Sequence, residues 1–280
     1  MNVAAAPTDT AAPTADTVRA QDFPAYAATL FADPVTRRAL LALHAFADEV
    51  AAVRDHVTQP LPGEIRLQWW VDALTGEGHG GVEGHPVAAE LKRAISAFDL
   101  PVDDFTRIIE AWRADLYGEP MPDLTAVEAF LTDTSSTLIG LAARVCSPGA
   151  EAPADLIRHA GLALGLVRLI GQLPRDASRG RLYLPRDLLA LNGVTAEEIL
   201  AGQTPSGLRA ILAYLAGEAE QHLAAVAAPD ALRPALLPLA LVRRTLKQLH
   251  GVEYDPHRLE PPSRLAVLWT TWRAGRSGKF

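Results

Sequence analysis

Apolar positions recur three and four residues apart along most of the chain, the spacing that lines one face of an α-helix. The stretch VTRRALLALHAFADEVAAVRDHV keeps that spacing until the breaker cluster Gln59-Pro60-Leu61-Pro62-Gly63, which predicts a first long helix over 35–57. GEIRLQWWVDALTG predicts a second, stopped by the glycine-rich loop GEGHGGVEGHP. Further helices are expected over 86–98, 102–117, 124–146, 153–173, 195–201, 205–228 and 230–250. RGRLYLP, residues 179–185, breaks the periodicity and predicts an ordered loop. The pattern shows no strand alternation, no internal repeat and no long linker, so it predicts a single all-α domain over 22–250. Residues 1–21, rich in Ala, Pro and Thr, are expected to form a disordered lead-in, and residues 251–280 a tail with one short helix.

Composition supports a helical bundle. Apolar residues make up 49% of the 280 positions and charged residues 21%, enough to fill a core and leave a soluble surface. Ala and Leu dominate over β-branched and aromatic residues, which favours helix. The formal net charge of -7 excludes a general polyanion-binding face, so nucleic acid is not an expected partner. The single cysteine, Cys146, makes no intrachain disulfide and points to a reducing, cytoplasmic setting. No apolar run reaches the roughly 18 uninterrupted residues of a membrane span, and residues 1–20 lack the basic start and apolar core of a signal peptide. The histidines show neither HxxxH nor HExxH spacing, so no zinc site is expected from them. Ser135 and Ser136 have no nucleophile-elbow context, which dismisses serine hydrolysis.

Two helical stretches carry acids suited to a central cavity. Asp48 and Glu49 follow HAFA, with Asp55 seven residues beyond Asp48 on roughly the same helical face. Gln172 and Asp176 stand four apart, at the start of an Arg-rich stretch with Arg175, Arg179 and Arg181. Acid pairs at i and i+4 on facing helices hold Mg²⁺ against a diphosphate, with arginines on the phosphate oxygens. Trp69 and Trp70 point in different directions on one helix, either lining a ligand pocket or packing one in the core and one half out. Asp115 suits a cap or an ion pair. In the tail, Trp269 and Trp272 beside Arg273, Arg276 and Lys279 suit either a membrane interface or a helix packed on the body.

GLALGLVRLIGQLPRDASRGRLYLPRDLL resembles the second signature of the squalene/phytoene synthase family, GLALQ-x-x-N-I-x-R-D-x-x-E-D-x-x-R-G-R-x-YLP. HAFADEVAAVRD is similar in place to that family's DDxxD-type helix, about 125 residues earlier. The resemblance implies an isoprenoid-synthase-type bundle around a central cavity, where Mg²⁺ draws off diphosphate as two prenyl diphosphates join head to head. Matched residue by residue, the first acid pair falls on Asp48 and Ala52, with Glu49 in place of the adjoining second Asp, and the second pair on Gln172 and Asp176. Each pair has lost one carboxylate. Asp48, Glu49 and Asp176 are then vestigial catalytic candidates, with Asp48 and Asp176 the remaining metal ligands. Arg175, Arg179, Arg181 and Tyr183 are the candidate diphosphate-binding residues. A single carboxylate plus waters holds Mg²⁺ more weakly than a pair does.

LFADPVTRRALLALHAFADEVAAVRDHVTQPLPGEIRLQWWVDAL is similar to the branch of this superfamily related to mitochondrial complex I assembly factors. That branch shows an AF-x-x-E-x-A-x-x-R-D helix and then G-x-x-R-LQWW-x-D-AL, matched here by Ala45, Phe46, Glu49, Ala51, Arg54 and Asp55, and then by Gly63, Arg66 to Trp70 and Asp72 to Leu74. Its members keep the fold and lose the acid pairs. The resemblance implies a non-catalytic complex I assembly-type factor or isoprenoid-binding protein, and as the alternative an active Mg²⁺-dependent prenyl transferase. The implied partners are an isoprenoid diphosphate or similar lipid, a respiratory complex subunit and a peripheral membrane contact, with the protein cytoplasmic and beside the inner membrane.

Overall fold

The computed structural model describes residues 10–76, 82, 84–227 and 229–278, whose regular structure is helical with no strand among them. The helices are α1 (Ala11–Gln21), α2 (Phe23–Thr29), α3 (Pro34–Ala51), α4 (Pro60–Thr75), α5 (Pro86–Phe98), α6 (Val102–Asp115), α7 (Leu124–Leu131) and α8 (Thr137–Cys146). There follow α9 (Ala154–Ser178), α10 (Arg186–Leu191), α11 (Ala196–Leu200), α12 (Ser206–Ala224), α13 (Arg233–Leu236), α14 (Leu239–Gly251) and α15 (Arg264–Ser277).

Local chemistry sets many of these ends. Proline opens α3, α4 and α5, where its missing N–H costs nothing. Asp33 caps α3 by accepting from the Val35 and Thr36 N–H groups at 3.0 and 3.2 Å. Gly76, at φ 88°, closes α4 in the left-handed conformation that glycine adopts without strain.

Two apolar cores hold the bundle. One surrounds α3, where Leu40, Leu43 and Phe46 pack with Leu67, Leu91, Phe105 and Ile109. The other surrounds α9, where Leu162, Leu166 and Ile170 pack with Ile211, Leu212 and Leu215 of α12. Helix α8 joins them, with Leu141 and Val145 in the first core and Ile139 and Ala143 in the second. Among the described residues α9 alone is long and apolar enough to cross a membrane, and it lies within the second core.

Three expectations are revised. Of the lead-in expected over 1–21, residues 1–9 lie outside the described residues, and Ala11–Gln21 form α1. Tertiary contacts order it: Val18 and Thr14 are buried, and the Thr10 hydroxyl donates to the buried Glu90 carboxylate, which also takes Arg38 at 2.6 Å. The helix expected over 35–57 ends at Ala51 and passes into a 3₁₀ turn, Val53–His56, so Asp55 leaves the face of Asp48.

The helix expected over 124–146 is interrupted by a π-turn, Thr132–Ser136. Hydroxyls in and just after it bond back to the main chain, Thr134 to the Phe130 carbonyl at 2.7 Å and Thr137 to that of Thr132 at 3.0 Å. The tail helix α15 belongs to the body: Ala274 packs with Ala28, Leu237 and Ala240, and Val267 with Ala27 and Leu241.

Candidate functional site

The last turns of α3 bring the first motif to a cleft of about 480 Å³ lined by Glu49, Ala52, Val53, Trp69, Trp70 and His85. That volume lies in the range of small-molecule pockets. Ala52, the vacated acid position, is on its wall. Trp70 is buried edge-on to Phe46, ring centres 5.1 Å apart, while half-buried Trp69 lies against His85 at 5.0 Å.

Burial pushes the Glu49 carboxyl up to about 7. The imidazole facing it, His85, accepts the Ala88 N–H at Nδ1, which caps α5 and leaves the ring proton on Nε2, 3.4 Å from Glu49 Oε2. Burial also lowers the His85 pKa, so the pair is a contact between a neutral imidazole and a partly protonated acid.

Asp48 is held in the same way. Its Oδ2 is buried with no hydrogen-bond partner, and burial, then the nearby charge of Asp22, raises its pKa to about 7. Arg168 of α9 opposes that rise. Arg168 stands where the family signature has Asn, and it pairs with Asp22, which caps α2 by accepting the Ala25 N–H at 2.9 Å. Burial disfavours the Asp22 charge, but Arg168, His44 and the Ala25 N–H together hold its carboxyl below the usual range. Burial drives His44 down to about 4, so it is neutral at pH 7 and gains its charge only in the acidic range where Asp22 titrates. Asp22, His44 and Arg168 escaped the sequence reading because no spacing links them.

The second motif is built differently. Gln172 is exposed, Asp176 is half-buried, and Arg175 is exposed. Burial raises Asp176 to about 6, with Arg175 and Arg179 pulling it down and Asp115 pushing it up. Arg179 and the buried Arg181 both bind the Asp55 carboxylate. The Tyr183 hydroxyl donates to Asp115 Oδ2 at 2.9 Å, and Arg54 donates to Oδ1 at 2.8 Å. RGRLYLP is therefore tied down through Asp55 and Asp115, and three of the four candidate diphosphate-binding residues already hold carboxylates. The charges acting on Asp48 are Asp22, Arg168 and Glu49, and those on Asp176 are Arg175, Arg179, Asp115 and Arg54.

Mg²⁺ requires an octahedron of oxygen donors. The orphaned Asp48 Oδ2 is one such donor, but Ala52 offers none and the Gln172 amide is neutral and exposed. The donor set falls short of the bridging acid pairs that a diphosphate-bound metal cluster needs. One consequence is local. Tyr183→Phe removes a hydrogen bond from buried Asp115 and should cost about 1 kcal/mol in urea denaturation; unchanged stability would show that the bond is not maintained in solution.

Residues 18–273 match the squalene/phytoene synthase family profile. A rat protein named NADH dehydrogenase (ubiquinone) complex I, assembly factor 6 is 26% identical over 243 residues, covering 85% of this chain and 73% of its own. The presqualene diphosphate synthase of Zymomonas mobilis is 29% identical over 257 residues, covering 86% and 84%. Among solved structures, a dehydrosqualene synthase in complex with ligand superposes with a TM-score of 0.78 at 17% identity, over 96% of this chain and 97% of that one. The squalene synthase of Alicyclobacillus acidocaldarius gives 0.73 at 20% identity, over 88% and 95%. With the RGRLYLP loop, the paired core helices and a profile match over nearly the whole chain, this protein belongs to the squalene/phytoene synthase family.

Proposed function

We propose that this family member does not transfer prenyl groups, and that it serves as an assembly-type factor for a respiratory complex, its cleft suited to an isoprenoid-like lipid. The observation that carries the reading is the loss of one carboxylate from each acid pair: Ala52 on the cleft wall and Gln172 at the surface. The surviving acids support it, since burial holds Asp48 at about 7 and Asp176 at about 6, where protons compete with a cation. The relatives named as complex I assembly factor 6 match 85% of the chain, which supports a respiratory complex as the partner.

A peripheral membrane contact fits the same reading. On α15, Trp269 and Trp272 stack at 5.1 Å and stay 59% and 42% exposed, beside the still more exposed Leu265. Arg276 lies over the Trp272 ring, giving the aromatic and basic mix favoured at membrane interfaces.

The test is incubation of the purified protein with farnesyl or geranylgeranyl diphosphate and Mg²⁺. No head-to-head product is expected, and clear formation of one overturns the proposal. Ala52→Asp combined with Gln172→Asp should raise Mg²⁺-dependent diphosphate binding in calorimetry; no change would mean that these two positions do not address a common site.

A further inference from the structure

Away from the cleft, three helices converge on a cluster that none of the acid motifs includes. Glu218 and His222 lie four residues apart on one face of α12, and Glu128 reaches them from α7. One ligand atom from each of the three lies within 4.8 Å of the other two. His222 Nε2 is buried without a hydrogen-bond partner, 3.6 Å from Glu128 Oε1, and its side chain is only 12% exposed. That separation is too long for a hydrogen bond. It is the separation of two donors on one tetrahedral ion: bonds of about 2.0–2.2 Å place such donors roughly 3.3–3.6 Å apart.

The other ring nitrogen is already held. His222 Nδ1 lies 2.8 Å from His159 Nδ1 of α9. A ligating histidine commonly has such an outer partner, which fixes its ring and tautomer.

We propose that Glu128, Glu218 and His222 bind Zn²⁺ through one imidazole nitrogen and two carboxylates, with His159 orienting the ligand from behind. Borderline ions of this kind accept mixed nitrogen and oxygen donors, whereas Mg²⁺ keeps to oxygen. In the loaded site His222 carries its ring proton on Nδ1 and donates it to His159 Nδ1, leaving Nε2 for the metal. His159 then holds its own proton at Nε2, and the exposed Arg158 guanidinium, 3.2 Å from that nitrogen, turns to solvent. Histidine spacing gave no sign of the site, because only one of the three ligands is a histidine and one ligand comes from a second helix. The proposal is independent of whether the cleft is catalytic.

The experiment is Zn²⁺ titration of the full chain by calorimetry after chelator treatment and dialysis. One saturable equivalent is expected. His222→Ala should lower the affinity at least tenfold, and Glu218→Gln, which keeps the side-chain shape, should do the same in a protein whose circular dichroism is unchanged. Absence of saturable binding overturns the site, as does binding that survives both substitutions.

Discussion

Asp48→Asn should stabilise the protein by about 2–4 kcal/mol at pH 8 and have little effect below pH 4. The ordinary carboxyl value is 3.8, and burial raises Asp48 to about 7 in the fold. Between those values the folded chain binds more protons than the unfolded chain, so stability falls as pH rises. The contribution of the neutral acid is fully present below 3.8, is lost progressively up to about 7, and stays lost above. At 1.36 kcal/mol per pH unit the gap corresponds to about 4 kcal/mol, and the new amide, itself short of partners, takes back part of it. Glu49 runs in the same sense, from 4.5 to about 7, so the wild type should lose stability across this window and the variant should lose less. Urea denaturation at pH 4, 6 and 8 reads this directly; an Asn variant less stable than wild type at pH 8 would show that Asp48 finds a partner in solution.

The second large effect is structural. A Cβ on Gly161 of α9 would lie 2.1 Å from Ser136 Oγ, 2.4 Å from its Cα and 2.5 Å from its N. Two of those atoms are backbone, so no side-chain rotation relieves the clash. Gly161→Ala should therefore lose about 3 kcal/mol or more. Gly171, in the same helix, has nothing within 4 Å of its Cβ direction, and there Ala should gain about 0.5–1 kcal/mol from helix propensity. Denaturation midpoints of the two variants should move in opposite directions; a Gly161→Ala protein as stable as wild type would contradict the close packing of α9 on the π-turn.

Much of the fold was legible because its helix ends are written locally, as in Asp33-Pro34 and Gly76. What stayed hidden depends on distant partners. Helix α1 rests on the contact of Thr10 with Glu90, 80 positions away, which its Ala- and Pro-rich composition does not announce. The site divides in the same way. The vacated place of Ala52 came from the family resemblance, and in the fold Ala52 lines the cleft wall. By contrast, the ties from Arg179 to Asp55 and from Tyr183 to Asp115 span 124 and 68 positions, and the pair of Arg168 with Asp22 spans 146. The family signature shows that Arg168 replaces an Asn; only folding shows which acid it meets.

The π-turn over Thr132–Ser136 also acts as a phase setter between two parts of the molecule. Each residue of an α-helix advances the side-chain direction by about 100°, so the widened turn lets α7 and α8 keep different rotational settings along nearly one rod. Helix α8 packs on α3, while α7 points Glu128 at α12. Excising one residue from this turn would bring the two into step and swing Glu128 off His222, leaving α8 in place against α3. Five polar residues thus decide whether the two regions of the bundle are aligned independently or as one.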